Sequence, residues 1–451
     1  MSKKSIPILP IITSTFPIWL KKQPTEIKNW ITANNFTAKS SEICLLPNKK
    51  TGLVETVLLG VLNSDDYWAF GALPKVLQEG SYHIETNWKT EETERAAIAW
   101  GLGAYQFSKY KKREAIKPKL MISSKCSTKY IDSIVAATNF SRDLINLPSQ
   151  DFSPKDLGNA ARDLAKKHSA KITEIVGEDL LKKNFPAVYA VGKGGVNKPR
   201  IIDLHWGNFK KAPHITLVGK GVCFDSGGWD LKPSSGMRYM KEDMAGAAYA
   251  LTVARLIMEF NLKINLRVII PAVENLLDNV SYKPGDVIKM RSGKTVEIHN
   301  TDAEGRMILA DALTLACEEK TDLLLDFATL TGAARVALGN DINAMFTDDD
   351  KLAEMLAKFS KEEKDPMWRL PLYESYWESM NSSIADFSNC SDSRYGGTIT
   401  AALFLKQFVK KDVKWVHFDI AAWNYKTKPG RPEGGEIQCL RTIFKLINKF
   451  V

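Results

Sequence analysis

Short apolar runs alternate with stretches of helical periodicity along the later part of the chain. From about residue 170 onward, the apolar-rich runs 200–205, 214–218, 266–272, 323–327 and 415–420 predict buried strands. Between them, 244–259, 352–361 and 400–409 repeat apolar positions every three to four residues and predict helices. This alternation predicts a central mixed, largely parallel sheet flanked by helices on both faces. Two further stretches matter for chemistry. Residues 295–298 alternate like a strand, and 308–316 read as a helix.

The earlier part of the chain mixes shorter elements. Strands are predicted at 6–13, 41–46, 54–61, 82–86 and 120–123, and helices at 26–34 and 93–107. A helical stretch at 130–147 stops at Pro148 and suits a bridge between two domains. Ser153-Pro154 then opens another helix, with a serine cap and a proline in the first turn. The resulting expectation is an α/β protein. A small N-terminal α/β domain occupies 1–125, a linker helix 126–150, and a larger α/β domain 151–451. No internal repeat and no low-complexity tract interrupts the pattern.

Composition adds little to this picture. A chain of 451 residues with 44% hydrophobic and 25% charged positions is an ordinary globular sequence with room for two or more domains. The formal charge of +10 falls mostly before residue 130, densest at Lys109, Lys111, Lys112 and Arg113. A basic balance can serve nucleic acid or an anionic surface, but a solvated basic face explains it more simply. No helix-turn-helix and no basic-aromatic groove is evident, so nucleic acid is not an expected partner. Cys44, Cys126, Cys223, Cys317, Cys390 and Cys439 are scattered without CxxC spacing, which suits reduced thiols in the cytoplasm. Lys3-Lys4 before the apolar run 6–20 faintly resemble a signal peptide. Pro7, Pro10 and Pro17 interrupt that run and no small-residue cleavage site follows, so 6–13 reads better as a strand. No apolar run is long enough to cross a membrane.

The chemistry concentrates in two stretches. The first is Asn300-Thr301-Asp302-Ala303-Glu304-Gly305-Arg306, between the predicted strand and helix. If it is extended, Asp302, Glu304 and Arg306 point to one side. A lone Asp-x-Glu is usually a solvated turn. The second stretch runs from Val218 to Pro233 through Lys220, Asp225, Gly227-Gly228, Trp229 and Lys232, and leads to Asp243 at the head of a helix rich in small residues. Its glycine loop is not a Walker-type phosphate cradle, because no Ser or Thr follows Lys220. Ser226 is not in a nucleophile elbow, and nothing assigns Cys223 a histidine partner. Asp225, Asp243, Asp302 and Glu304 thus sit on separate loops where strands end. Four carboxylates drawn together repel unless something neutralises them, and two divalent cations would balance their charge. The six histidines form no zinc motif, so an oxygen-rich pair of metals fits better. Separate salt bridges to Lys220, Lys232, Lys241 and Arg306 explain each carboxylate alone, but not their shared glycine-lined setting.

These stretches resemble the signatures of the leucyl aminopeptidase family, the dimetal cytosol aminopeptidases. The likeness runs from Val218 through Gly332, including Pro271-Ala272-Val273-Glu274-Asn275 and Ala328-Thr329-Leu330-Thr331-Gly332-Ala333. It continues more weakly through Gly396-Gly397-Thr398 and His417-Phe418-Asp419-Ile420-Ala421, and in layout only over the N-terminal domain. The resemblance implies an N-terminal exopeptidase with two divalent ions per chain, manganese or zinc, with magnesium as a further choice. It implies that Lys220, Asp225, Asp243 and Glu304 hold one ion and Asp225, Asp302 and Glu304 the other. Lys220 would have to ligate as the neutral amine. It gives Lys232 an oxyanion role, Arg306 a bicarbonate ion that serves as general base, and Met240, Thr329, Gly332 and Ala421 the pocket for the first side chain. It also implies peptide substrates whose free amine reaches a metal, a homohexamer and a cytoplasmic setting.

Some residues depart from the commoner pattern. Trp229-Asp230 follow the double glycine where smaller residues are frequent, and Ala421-Ala422-Trp423-Asn424 lacks the usual Gly-Thr. Gly430-Arg431-Pro432-Glu433-Gly434-Gly435 resembles a shorter bacterial subgroup. The metal set is untouched by these changes, but a strict leucine preference does not follow. Two alternative functions are an architectural DNA-binding role and an inactive scaffold. Retention of all seven metal and catalytic residues argues against the scaffold.

Overall fold

The computed structural model describes residues 5–451, and Lys3 and Lys4 lie outside them. Two compact units emerge. One comprises the chain up to Asn139 together with Asn424–Gly434, and the other comprises Phe140–Trp423 and Gly435–Val451.

The first unit is built on a five-stranded sheet in the order Ile43–Pro47, Val54–Val61, Ile6–Ile12, Ser81–Ile84 and Lys119–Leu120. Its central strands pair in parallel, Ile8 opposite Val57 and Tyr82 opposite Ile6. Alternation divides the apolar run at Val57, Leu58 and Leu59 between two cores. Val57 and Leu59 join Ile8, Phe70, Tyr82 and Trp100 on one face, and Leu58 joins Ile11, Ile31 and Phe36 on the other. A sheet covered on both faces needs continuous rather than alternating hydrophobicity, which this run supplies. The helix predicted at 93–107 is found at Thr90–Gly103. It starts earlier because the Glu92 carboxylate accepts a 2.7 Å bond from the Lys89 amide and caps the first turn.

In the second unit a nine-stranded mixed sheet runs Met367–Arg369, Asn343–Phe346, Trp415–Asp419, Leu323–Ala328, His214–Gly219, Asn265–Asn275, Arg200–Trp206 and Lys171–Val176. Its ninth strand, Gly221–Asp225, extends the pairing of Asn265–Asn275. The four central strands from Trp415–Asp419 to Asn265–Asn275 are parallel, and the pairs outside them include the antiparallel ones. The largely parallel α/β sheet expected from the sequence is therefore present. Helix Ala245–Glu259 is almost wholly buried, and so is the first part of Glu304–Ala316. The core between sheet and helices includes Val218, Val222, Ile269, Val273, Met307, Leu309 and Leu324. The sequence predicted a loop after 218, whereas Gly221–Asp225 is a strand. Asn265–Asn275 is eleven residues long and offers its free edge there. Gly221 fits because a Cβ would lie 2.7 Å from the Pro271 carbonyl oxygen.

Three central strands lead toward candidate residues. Lys220 follows His214–Gly219, Thr329 follows Leu323–Ala328, and Ala421 lies two residues past Trp415–Asp419. The carboxyl ends of parallel strands are where α/β sheets open onto ligands.

Candidate active site

Lys220 is fixed by backbone first. Its amide donates to the Phe327 carbonyl at 3.0 Å, and its own carbonyl accepts from the Ala247 amide at 2.8 Å. Helix and strand come this close because position 246 is glycine, where a Cβ would sit 2.1 Å from the Phe327 oxygen. The buried Lys220 ammonium then donates to Asp243 Oδ1 at 2.7 Å and to the Thr329 carbonyl at 3.0 Å, and lies 2.8 Å from Glu304 Oε1. Gly305 packs against this side chain, leaving no room for a Cβ. Burial works against the Lys220 charge, but Asp243, Glu304 and Asp225 outweigh it and raise its pKa.

Lys232 plays the same part for the other two carboxylates. Its ammonium lies 2.8 Å from Asp225 Oδ2 and 2.5 Å from Asp302 Oδ1. Its pKa is also raised, with Asp225, Glu304 and Asp302 overcoming burial. Asp302 is pushed up to about 7 by burial and by the like charges of Asp225 and Glu304, against the pull of Lys232. Burial likewise lifts Asp243 well above the ordinary carboxylate value. One oxygen each of Asp225, Asp302 and Glu304 lies within 4.8 Å of the other two.

The charged triplet is not extended, contrary to the sequence expectation. Asn300 is extended, Thr301–Ala303 form a 3-10 turn, and Glu304 and Arg306 lie in the first turns of a helix. The Asn300 side chain accepts from the Asp302 amide at 2.7 Å and bends the chain there. Asp302 and Glu304 therefore meet Asp225 across a turn. Arg306 is buried and donates to the Asn389 carbonyl at 2.8 Å, while its Nε has no partner among the described residues.

Thr301, Asn275 and Asn389 were not singled out from sequence, yet they hold this turn. Thr301 is fully buried. Its hydroxyl donates to the Gly227 carbonyl at 2.6 Å and accepts from the Asp230 amide at 2.9 Å. Its amide donates to Asp230 Oδ2 at 2.7 Å, and its carbonyl accepts from Asn275 Nδ2 and the Tyr282 hydroxyl. Asn275 also donates to Asp225 Oδ1 at 2.7 Å. Asn389 accepts from the His299 and Asn300 amides and donates to the Asn300 carbonyl. Gly227 and Gly228 have φ of +89° and +65°, so the loop between Asp225 and Lys232 turns where side chains are strained.

Of the four expected pocket residues, Thr329 meets the acidic set directly, its hydroxyl donating to Asp243 Oδ1 at 2.7 Å. Met240 opens the turn that carries Asp243. Gly332 is exposed at the start of helix Gly332–Leu338, and a Cβ there would meet nothing within 4 Å. Ala421 is buried two residues beyond Asp419. Asp419 ties these last two segments together, because its carboxylate accepts from the Leu330 and Thr331 amides and the Thr331 hydroxyl.

Four carboxylates thus surround two ammonium groups, and Asp243 Oδ2 and Glu304 Oε2 are buried acceptors without a donor. This donor set fits further positive charge in the form of metal ions.

Residues 139–444 match the catalytic domain of the cytosol aminopeptidase family, and residues 6–123 match the M17 aminopeptidase N-terminal domain. A probable cytosol aminopeptidase of Geobacter sp. (strain M21) is 38% identical over 372 residues, covering 79% of this chain and 75% of that protein. The crystal structure of a cytosol aminopeptidase from Coxiella burnetii superposes with a TM-score of 0.95 at 46% identity, covering 100% of this chain and 98% of that one. The bottromycin maturation enzyme BotP in complex with Mn superposes with a TM-score of 0.88 at 28% identity, covering 99% of both chains. The chain belongs to the cytosol aminopeptidase family and is a metal-dependent aminopeptidase, a hydrolase of peptide bonds.

Proposed function

We propose that the protein releases N-terminal residues, leucine and other apolar ones among them, from peptides in the cytoplasm, with two divalent ions held by Lys220, Asp225, Asp243, Asp302 and Glu304. The observation that carries this reading is the surplus of buried carboxylate over ammonium, together with the donorless oxygens of Asp243 and Glu304. Manganese, zinc or magnesium suits an oxygen-rich set, and the neighbour in complex with Mn supports manganese. Two such ions, when bound, supply the charge that activates water and polarises a peptide carbonyl.

The chain's own groups do the rest. The acidic set draws the positively charged amino terminus of a peptide. Lys232 donates to the oxygen of the scissile carbonyl and stabilises the negative charge growing there. Arg306, with a free Nε and a backbone partner, holds a bicarbonate ion suited to accept a proton from the attacking water. Met240, Thr329, Gly332 and Ala421 receive the first side chain. A homohexamer, and a domain division at 1–125, 126–150 and 151–451, complete the proposal.

Leucine anilide and its N-acetyl form test it together. The free-amine substrate is expected to be cleaved and the acetylated one spared. Equal cleavage of both contradicts an exopeptidase site.

A further inference from the structure

Asp419 is a buried carboxylate whose hydrogen-bond partners among the described residues are all neutral. It closes strand Trp415–Asp419, and the parallel register sets it opposite Ala328 at the end of Leu323–Ala328. The Ile420 amide donates to the Ala328 carbonyl at 2.8 Å, so the pairing persists to the last residue of that strand. Just past that point the Asp419 carboxylate takes hold of the neighbouring segment. Its Oδ1 accepts from the Leu330 and Thr331 amides, both at 3.1 Å. Its Oδ2 accepts from the Thr331 hydroxyl at 2.6 Å and the Thr398 hydroxyl at 2.8 Å. The Thr331 hydroxyl in turn accepts from the Ala334 amide at 3.1 Å and caps helix Gly332–Leu338. Burying a carboxylate is costly unless its oxygens are satisfied, and these four bonds satisfy them.

The segment so held carries Thr329, which touches two of the proposed metal ligands. Its carbonyl accepts from Lys220 Nζ at 3.0 Å, and its hydroxyl donates to Asp243 Oδ1 at 2.7 Å. Of the three acceptors around Lys220 Nζ, Asp243 and Glu304 are themselves proposed ligands, and the Thr329 carbonyl is not. A ligating amine keeps N–H groups beside its lone pair, so an acceptor that does not itself ligate is what fixes its direction. We propose that Asp419 is a positioning residue for metal binding. By holding Leu330 and Thr331 it fixes the Thr329 carbonyl, and that carbonyl sets the direction in which Lys220 presents its lone pair. The inference rests on the reading of Lys220 as a metal ligand. It adds that this ligand is aimed from strand Trp415–Asp419, which supplies none of the proposed ligands.

The test titrates chelator-stripped chain with Mn2+ by calorimetry, which gives the affinity of each site. Lys220→Ala identifies the site that Lys220 serves. Asp419→Ala should weaken that same site by about 10- to 100-fold, the usual effect of losing a ligand's hydrogen-bond support, and leave the other unchanged. Asp419→Asn keeps an oxygen that can accept from both amides and should retain most of the affinity. Thr331→Val removes one bond to the held segment and should weaken the site by a smaller factor. Thr398→Val removes a bond from outside that segment, so it should lower the melting temperature and leave both affinities alone. A folded Asp419→Ala chain with parent affinities overturns the proposal, and so does equal weakening of both sites. Should Asp419→Ala fail to fold, the two threonine variants decide, because a Thr331→Val effect no larger than that of Thr398→Val also overturns it. A Lys220→Ala chain that binds two ions as the parent does instead refutes the ligand reading itself.

Discussion

Lys220 and Arg306 are both buried cations beside Glu304, yet their surroundings ask different things of them. Lys220 is enclosed by Asp243, Glu304 and the Thr329 carbonyl, with Gly305 packed on its stem. As a metal ligand it must offer a lone pair, which an arginine never has in a protein. Lys220→Arg is therefore expected to lose metal from one site and most turnover, despite keeping the charge. If Lys220 merely neutralised carboxylates, the same variant would bind two ions and turn over like the parent. Metal content and kcat distinguish the cases. Arg306→Ala should keep both ions, lose at most about 10²–10⁴-fold in rate, the usual worth of general-base assistance, and no longer respond to added bicarbonate. Thr301 acts by holding others. Thr301→Val strands the Asp230 amide and the Gly227 carbonyl, at a cost of about 1–3 kcal/mol by denaturant unfolding. It should also slow catalysis through Lys232 and Asp302, with Thr301→Ser restoring both. The carboxylates were legible in the sequence because charged residues beside glycine at strand ends stand out. Thr301 and Asn389 were not, because a hydrogen-bond hub has no period and no unusual composition.

Among the elements, adjacent strands Leu323–Ala328 and Trp415–Asp419 carry a device of their own. Asp326 faces His417 in register, with His417 Nδ1 2.6 Å from Asp326 Oδ1 and Trp415 Nε1 donating to Asp326 Oδ2 at 2.6 Å. Both partners are fully buried, and the imidazole stacks between Phe346 and Trp415. Burial opposes the imidazolium, but Asp326, with help from Asp419 and against Arg306, raises the His417 pKa above its ordinary value. A histidine whose pKa is raised on folding adds stability that is full below its unfolded pKa of about 6.5 and fades as pH rises through the folded value. The parent should thus lose stability on the alkaline side of that range. His417→Ala should flatten this limb and cost about 3–5 kcal/mol at acidic pH, since Asp326 is left buried and unpaired. Unfolding free energies measured across the pH range check both. These strands were legible from their apolar runs. Gly221–Asp225 was not, because glycine and aspartate are poor strand formers and the long partner strand supplies the pairing. The start of helix Glu304–Ala316 was hidden for a related reason. Its first turn is polar, so apolar periodicity registers only from Ile308 onward.

At the scale of the molecule, the sequence predicted two α/β bodies and a largely parallel sheet, and both are present. The return of Asn424–Gly434 to the first unit escaped it, because a contact so distant in sequence leaves no local pattern. The proposed hexamer is open to light scattering, where a mass six times that of one chain is expected at working concentration and a monomeric mass contradicts it. The central claim is that the surplus of carboxylate in one buried site exists to hold two catalytic ions. Stoichiometric reconstitution tests it most directly. Chain stripped by chelation is titrated with Mn2+ while bound metal and leucinamide hydrolysis are followed together. Two equivalents per chain should bind, with hydrolysis absent at the start and complete only as the second site fills. Full hydrolysis by the stripped chain, or saturation with no gain in rate, would contradict the account.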